Sequence, residues 1–227
     1  MKSKLEGFLR GMKMINIEDQ NALFDLISKS IEKDISAIAI GGTAMMFSGY
    51  KTATKDIDLV FQSEEDRIIF INAIELLGYR RKSMLDVYSE DKQKNKNKPL
   101  MFSRGEERFD LFVDSVFGFN VKFDVNLFTQ RHDFIHDNEL ILYVLPKEYL
   151  ILLKAITSRD RDYEDIENIV QKEEFVDWDL IVNLAIEQKQ LNKWILVDLE
   201  ETLQKLKHKF FIKKKYFDMI YTAMNME

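Results

Sequence analysis

The chain has no cysteine, which excludes disulfides, thiolate metal sites and a cysteine nucleophile. Two prolines and eight glycines in 227 residues predict long regular elements and few loops. Histidine is scarce. His132 and His136 share a four-residue spacing that would put both on one face of a helix, but neither they nor His208 has a third ligand nearby in the sequence. No apolar run approaches the ~20 residues needed to cross a bilayer. The first residues, with Lys2, Lys4, Glu6 and Arg10, lack the apolar stretch of a signal peptide. The expectation is a cytoplasmic protein with no membrane partner. Net charge is −6, so the chain as a whole does not attract polyanions, and any nucleic-acid contact has to come from a local basic patch.

Apolar residues make up 46% of the chain, enough for a real core. The length fits one domain with an appendage or two small ones. The most informative stretch is Ile38-Ala39-Ile40-Gly41-Gly42-Thr43-Ala44-Met45-Met46, followed by Lys51-Thr52-Ala53-Thr54-Lys55-Asp56-Ile57-Asp58-Leu59-Val60-Phe61. It reads as strand, glycine turn, short helix, loop, strand. Asp56 and Asp58 are one residue apart on a strand, so both carboxylates point to one face, while Ile57, Leu59 and Phe61 point to the other. Two adjacent carboxylates repel unless a cation lies between them, and hard oxygen ligands suit Mg²⁺. Gly41 and Gly42 let the backbone turn tightly and let a phosphate approach its N–H groups. A helix starting near Thr43 adds a partly positive N-terminus. A phosphate cradle close to a metal-binding acid pair is what phosphoryl transfer requires.

At these residues the chain resembles the nucleotidyltransferase superfamily, the polymerase-beta-like fold, whose pattern is a glycine pair or Gly-Ser, a short helix, then two aspartates alternating with apolar residues. Gly42 stands where the usual serine would be, and Thr43 offers a hydroxyl one place later. The form Gly-Gly-Thr with Thr54-x-Asp56-x-Asp58 looks most like the AbiEii-type toxins and related nucleotidyltransferase-like proteins. The resemblance implies an α+β fold, a mixed β-sheet flanked by helices, over residues 1–172 with its core at about 36–170, followed by a C-terminal helical region over 173–227.

An amphipathic helix is expected over 17–33, a strand over 36–40, a second over 56–62, and a helix capped by Ser63 and stopped by Gly78. Residues 79–88 read as a strand or hairpin arm. The lysine-rich run from Lys92 to Lys98 reads as a solvated loop or as a phosphate-backbone contact. Residues 107–113 form a further strand candidate with Asp110 among apolar neighbours. An aspartate there is unfavourable unless paired or metal-bound. In the resembled fold a third carboxylate comes from the strand beside the first two. Asp110 fits that place, Asp124 competes, and Asp114 is a weaker fit.

A short strand over 139–145 precedes Pro146, placed at a helix start. Lys154 on that helix, then Arg159, Arg161, Asp162, Asp165 and Ile166, resemble the second AbiEii-like motif, with Arg161 in place of its lysine. Lys154 would meet a triphosphate as a point charge and Arg159 bidentately, with Asp162 in the same nucleotide-binding set. Against this stands an ordinary helix-surface pairing of Arg161 with Asp165. Three helices are expected at about 180–188, 193–208 and 213–224. Lys205, Lys207, Lys209, Lys213, Lys214 and Lys215 make the one basic patch, either a solvated helix end or an RNA-docking face.

The resemblance implies a metal-dependent enzyme. NTP would lie on Gly41, Gly42 and Thr43, and Asp56, Asp58 and Asp110 would hold two Mg²⁺ ions. A nucleoside monophosphate would move to a hydroxyl on RNA or protein, in a toxin with a cognate antitoxin. The alternative is a catalytically silent nucleotide- or partner-binding module that retains the fold. An antitoxin-like partner of the minimal nucleotidyltransferase kind fits less well, since such chains are shorter and lack the helical tail.

Overall fold

The computed structural model describes residues 14–82 and 98–225. The lysines from Lys92 through Lys96 and most of the expected 79–88 arm lie outside the described residues. The first strand, β1 (Ile15–Asn16), leads into α1 (Ile17–Ser28). Asn16 caps that helix: its side chain accepts from the Asp19 N–H, and the Asp19 carboxylate accepts from the Asn16 N–H. The helix ends before residue 33 because the following segment is tied to the far hairpin. Asn138 donates to the Ile31 carbonyl, and Asp34 accepts from the Glu139 N–H.

Next come β2 (Ile35–Ile40), α2 (Gly41–Phe47), β3 (Ala53–Thr54), β4 (Asp56–Phe61) and α3 (Glu64–Leu76). Ser63 caps α3 through the Asp66 N–H, and Gly78, at φ +91°, lets the chain leave it. Then follow β5 (Arg80–Arg81), β6 (Leu100–Arg104), β7 (Glu107–Val113), β8 (Ser115–Val116), β9 (Phe119–Asn120), β10 (Arg131–Ile135) and β11 (Glu139–Val144). The chain closes with α4 (Lys147–Thr157), α5 (Asp160–Lys172), α6 (Trp178–Gln188), α7 (Ile195–Leu206) and α8 (Lys214–Met224). Pro146 lies one place outside α4, as its N-cap.

Seven strands form one mixed sheet in the order β10-β11-β2-β4-β7-β6-β5. The β11–β2 and β4–β7 pairs are parallel and the others antiparallel. The fold is α+β, as expected. The odd-numbered residues of β4 and β7 face α3: Phe61 and Phe109 pack on Phe70 with ring centroids 5.3 and 5.5 Å away, and Tyr79 lies 4.8 Å from Phe109. Such aromatic contacts add about 0.5–1.5 kcal/mol each beyond the area they bury. With Phe109 and its odd-numbered partners committed to this core, the even-numbered residues must emerge on the opposite face. There α4 approaches, backed by α6 and α7, and one hydrophobic cluster runs from the sheet through α4 into the C-terminal helices.

The histidine spacing belongs to a strand end rather than a helix. On β10 the His132 ring stacks on Phe47 at 4.0 Å, and His136 Nε2 lies 2.8 Å from Asp25 Oδ1. Among the described residues no helix is long and apolar enough to cross a membrane.

Candidate active site

Asp56, Asp58, Arg108 and Asp110 form a square of charges on the sheet face toward α4. The parallel register of β4 and β7 sets Asp56 opposite Arg108 and Asp58 opposite Asp110, and the two-residue side-chain period brings all four to one face. Arg108 Nη2 is 2.9 Å from Asp56 Oδ2, and Arg108 Nε is 2.8 Å from Asp110 Oδ1. Asp110 is 1% exposed. Asp124 is exposed and caps a short 3-10 turn through the Asn126 N–H, while Asp114 is exposed in a turn at φ +58°. Of the three candidate third acids, Asp110 alone lies beside Asp58.

Gly41 and Thr43 shape this square in different ways. Gly41 has φ +53°, and a Cβ there would collide with the Asp58 carboxylate, so glycine is needed for both conformation and space. A Cβ on Gly42 would lie 2.5 Å from Thr54 Oγ1. The Thr54 hydroxyl in turn donates to the Asp56 carbonyl at 3.1 Å. Thr43 does not face the cleft as expected. It is fully buried, and its Oγ1 accepts from the Asp58 N–H at 2.9 Å. The physical reason is that α2 begins at Gly41 rather than near Thr43, which turns the hydroxyl back onto β4.

The opposite wall of the cleft comes from α4 and the start of α5. Lys154, Thr157, Arg159 and Asp162 line the same cavity as Gly41 and the four sheet residues. Ser158, in the left-handed region at φ +45°, makes the sharp turn that folds α5 back beside α4. Buried Lys154 donates to Asp165 Oδ2 at 2.6 Å and to Asp162 Oδ1 at 3.4 Å. Arg159 grips Asp162 with two nitrogens, at 2.6 and 3.2 Å, and Thr157 donates to it at 2.7 Å. Asp162 therefore holds the two cations. An anionic side chain cannot itself receive a phosphate, so Asp162 is an anchor for Lys154 and Arg159. Asp165 is also turned inward, paired with Lys154 and with Lys51 at 3.3 Å. Among the described residues no ion pair joins it to Arg161.

The electrostatics differ on the two walls. Loss of water around the Asp58 carboxyl, then the charges of Asp110 and Asp56, push it up to about 7, against the pull of Arg108 and Lys154. Burial also acts to raise Asp162. The Arg159 hydrogen bonds, the Lys154 charge and the Thr157 hydroxyl outweigh it and hold Asp162 below the ordinary carboxylate value. The sheet wall thus carries unbalanced negative charge, while the helix wall is internally compensated.

Sequence reading did not single out Arg108 or Lys51. Arg108 was detectable from its alternation with Asp110 on one strand. Lys51 reaches Asp165 across more than a hundred residues of chain, and no local pattern signals that. In the basic patch, Lys209 pairs with Glu167 and Lys215 with Asp179, each at 2.7 Å, and Lys207 lies over the Phe217 ring. Lys209 and Lys215 are thus balanced by carboxylates, while Lys207 keeps its charge.

No curated protein matches the chain. A family model described as a nucleotidyltransferase of unknown function (DUF6036) matches residues 18–217, which take in both walls of the cleft, and the chain belongs to that family.

Proposed function

We propose that the protein is a Mg²⁺-dependent nucleotidyltransferase that moves a nucleoside monophosphate from an NTP to a hydroxyl on RNA or protein. The observation that carries this reading is the facing of two walls across one cleft: Asp56, Asp58 and Asp110 on the sheet, Lys154 and Arg159 on the helices. The donor set suits Mg²⁺. All its candidate ligating atoms are hard carboxylate oxygens, and burial together with the neighbouring Asp110 and Asp56 charges disfavours the Asp58 carboxylate unless a cation joins it. Among the described residues these acids do not make a closed metal cage, and Arg108 stands between Asp56 and Asp110. Asp56, Asp58 and Asp110 would hold the metal. Bound there, Mg²⁺ supplies charge neutralisation on the triphosphate and acidifies the acceptor hydroxyl.

The chain's own residues would do the rest. Gly41 leaves space for the Asp58 carboxylate and permits close approach of a phosphate. Lys154, steadied by Asp162 and Asp165, and Arg159 would orient the triphosphate from the opposite wall. Asp110, almost completely buried beside Asp58, would draw the acceptor proton. The likeness to AbiEii-type proteins extends the proposal to a toxin with a cognate antitoxin.

The test uses the protein with Mg²⁺, each of the four NTPs labelled at the α-phosphate, and total cellular RNA and protein. Label passing to RNA or protein, and lost in Asp56→Ala/Asp58→Ala, supports the proposal and identifies the acceptor. Nucleotide binding without transfer under any of these conditions, with candidate partners added, favours the silent binding module.

A further inference from the structure

Resting on the reading above, we infer that Arg108 is an internal counter-ion that keeps the metal site closed until a nucleotide arrives. Its guanidinium lies between Asp56 and Asp110, with Nη2 2.9 Å from one carboxylate and Nε 2.8 Å from the other. These are two of the three carboxylates that would ligate a divalent ion. Their oxygens face the same cleft, and the register of β4 and β7 places Arg108 beside both. An arginine keeps its charge at any working pH, so the occupant cannot be dismissed by deprotonation. It can only be moved.

A bare divalent cation entering this site has to displace the guanidinium from two ion pairs or settle beside it against its repulsion. Neither course offers the guanidinium a new partner. A nucleoside triphosphate does. Arg108 lines the cleft with Lys154 and Arg159, and its planar fork suits phosphate oxygens as well as carboxylates. The exchange is balanced in charge: the guanidinium passes from carboxylates to phosphates, and the metal that accompanies the nucleotide takes the carboxylates. Metal and nucleotide binding are then coupled, each tightening the other by the same factor. In this scheme Arg108 is a positioning residue that makes the site selective for metal-bound nucleotide over free metal.

The test is Mn²⁺ binding, followed by electron paramagnetic resonance. The wild-type chain and Arg108→Gln are compared, each alone and with non-hydrolysable analogues of the four NTPs, with correction for metal held by free analogue. Wild type is expected to bind Mn²⁺ weakly alone and about tenfold or more tightly with the matching analogue. Arg108→Gln is expected to bind Mn²⁺ alone about tenfold or more tightly than wild type, with most of the coupling gone. Arg108→Lys, which keeps the charge but not the fork, should fall between them. The wild-type coupling can be read even if Arg108→Gln does not fold. Equal Mn²⁺ affinity with and without every analogue overturns the inference, as does an Arg108→Gln chain that folds yet binds no more tightly. In both cases the metal reading stands, because Mn²⁺ still binds. If no form binds Mn²⁺ under any condition, the metal reading itself fails and this inference falls with it.

Discussion

Asp58 and Asp110 stand directly opposite each other on two parallel strands, and the Asp58 backbone is fixed there by a hydrogen bond from its N–H to the buried hydroxyl of Thr43. The hydroxyl thus serves the strand, not a phosphate. Thr43→Val, nearly the same shape, removes the acceptor and leaves a poorly solvated N–H. A loss of about 1–3 kcal/mol is expected, read by urea denaturation, and Thr43→Ser should recover most of it.

Gly41→Ala tests the close approach on the other side of Asp58. Alanine at φ +53° is disfavoured by roughly 1–2 kcal/mol, and its methyl would collide with the Asp58 carboxylate. Nucleotide transfer should fall far more than stability, because the displaced group belongs to the proposed metal site. Label transfer and thermal denaturation on the same preparation separate the two effects.

The raised Asp58 carboxyl makes a statement about pH. The unfolded chain releases this proton near the ordinary aspartate value of 3.8, whereas the folded protein keeps it up to about 7. Between those values the folded state binds more protons, so this group's contribution to stability declines as pH rises from about 4 to 7, then levels off. Asp58→Asn has no proton to release. Denaturation in EDTA across that range should therefore show wild type losing stability relative to the variant as pH increases. Asp162, whose carboxyl is depressed, acts in the opposite sense, but it is common to both chains and cancels in the comparison. Mg²⁺ in excess of EDTA, added together with a non-hydrolysable NTP analogue, should abolish the wild-type decline.

Lys154 is the buried centre of the helix wall. Lys154→Met leaves Asp162 and Asp165 facing inward with only Arg159, Thr157 and Lys51 to serve them. Removing one member of a buried pair destabilises by about 3–5 kcal/mol. The surviving partners should reduce this to about 2–3 kcal/mol. A double-mutant cycle with Asp165→Asn is expected to be strongly non-additive.

Gln20 offers a stability test remote from the cleft. It is fully buried in α1, and neither amide atom has a hydrogen-bond partner among the described residues. Gln20→Met keeps the length and removes the polar group, and a gain of about 1 kcal/mol is expected in urea denaturation. An equal or lower stability would show that the amide is satisfied in solution.

The sequence alone determined the strand-turn-helix-strand core, the shared face of Asp56 and Asp58, the Ser63 cap and the three C-terminal helices, because these rest on spacing within one element or on a cap a few residues away. It also yielded Asp110, whose apolar neighbours made a lone carboxylate conspicuous. Short-range pattern could not give pairing. Strand register alone put Asp110 beside Asp58 and left Asp124 capping an exposed turn. The start of α2 at Gly41 turned Thr43 inward. The fold-back at Ser158 converted a plausible surface pair of Arg161 with Asp165 into a buried network reaching Lys51. The same register brought Arg108 between two of the acids. Carboxylates repel and desolvate according to which strand lies next to them, and that neighbour is chosen by the packing of the whole sheet.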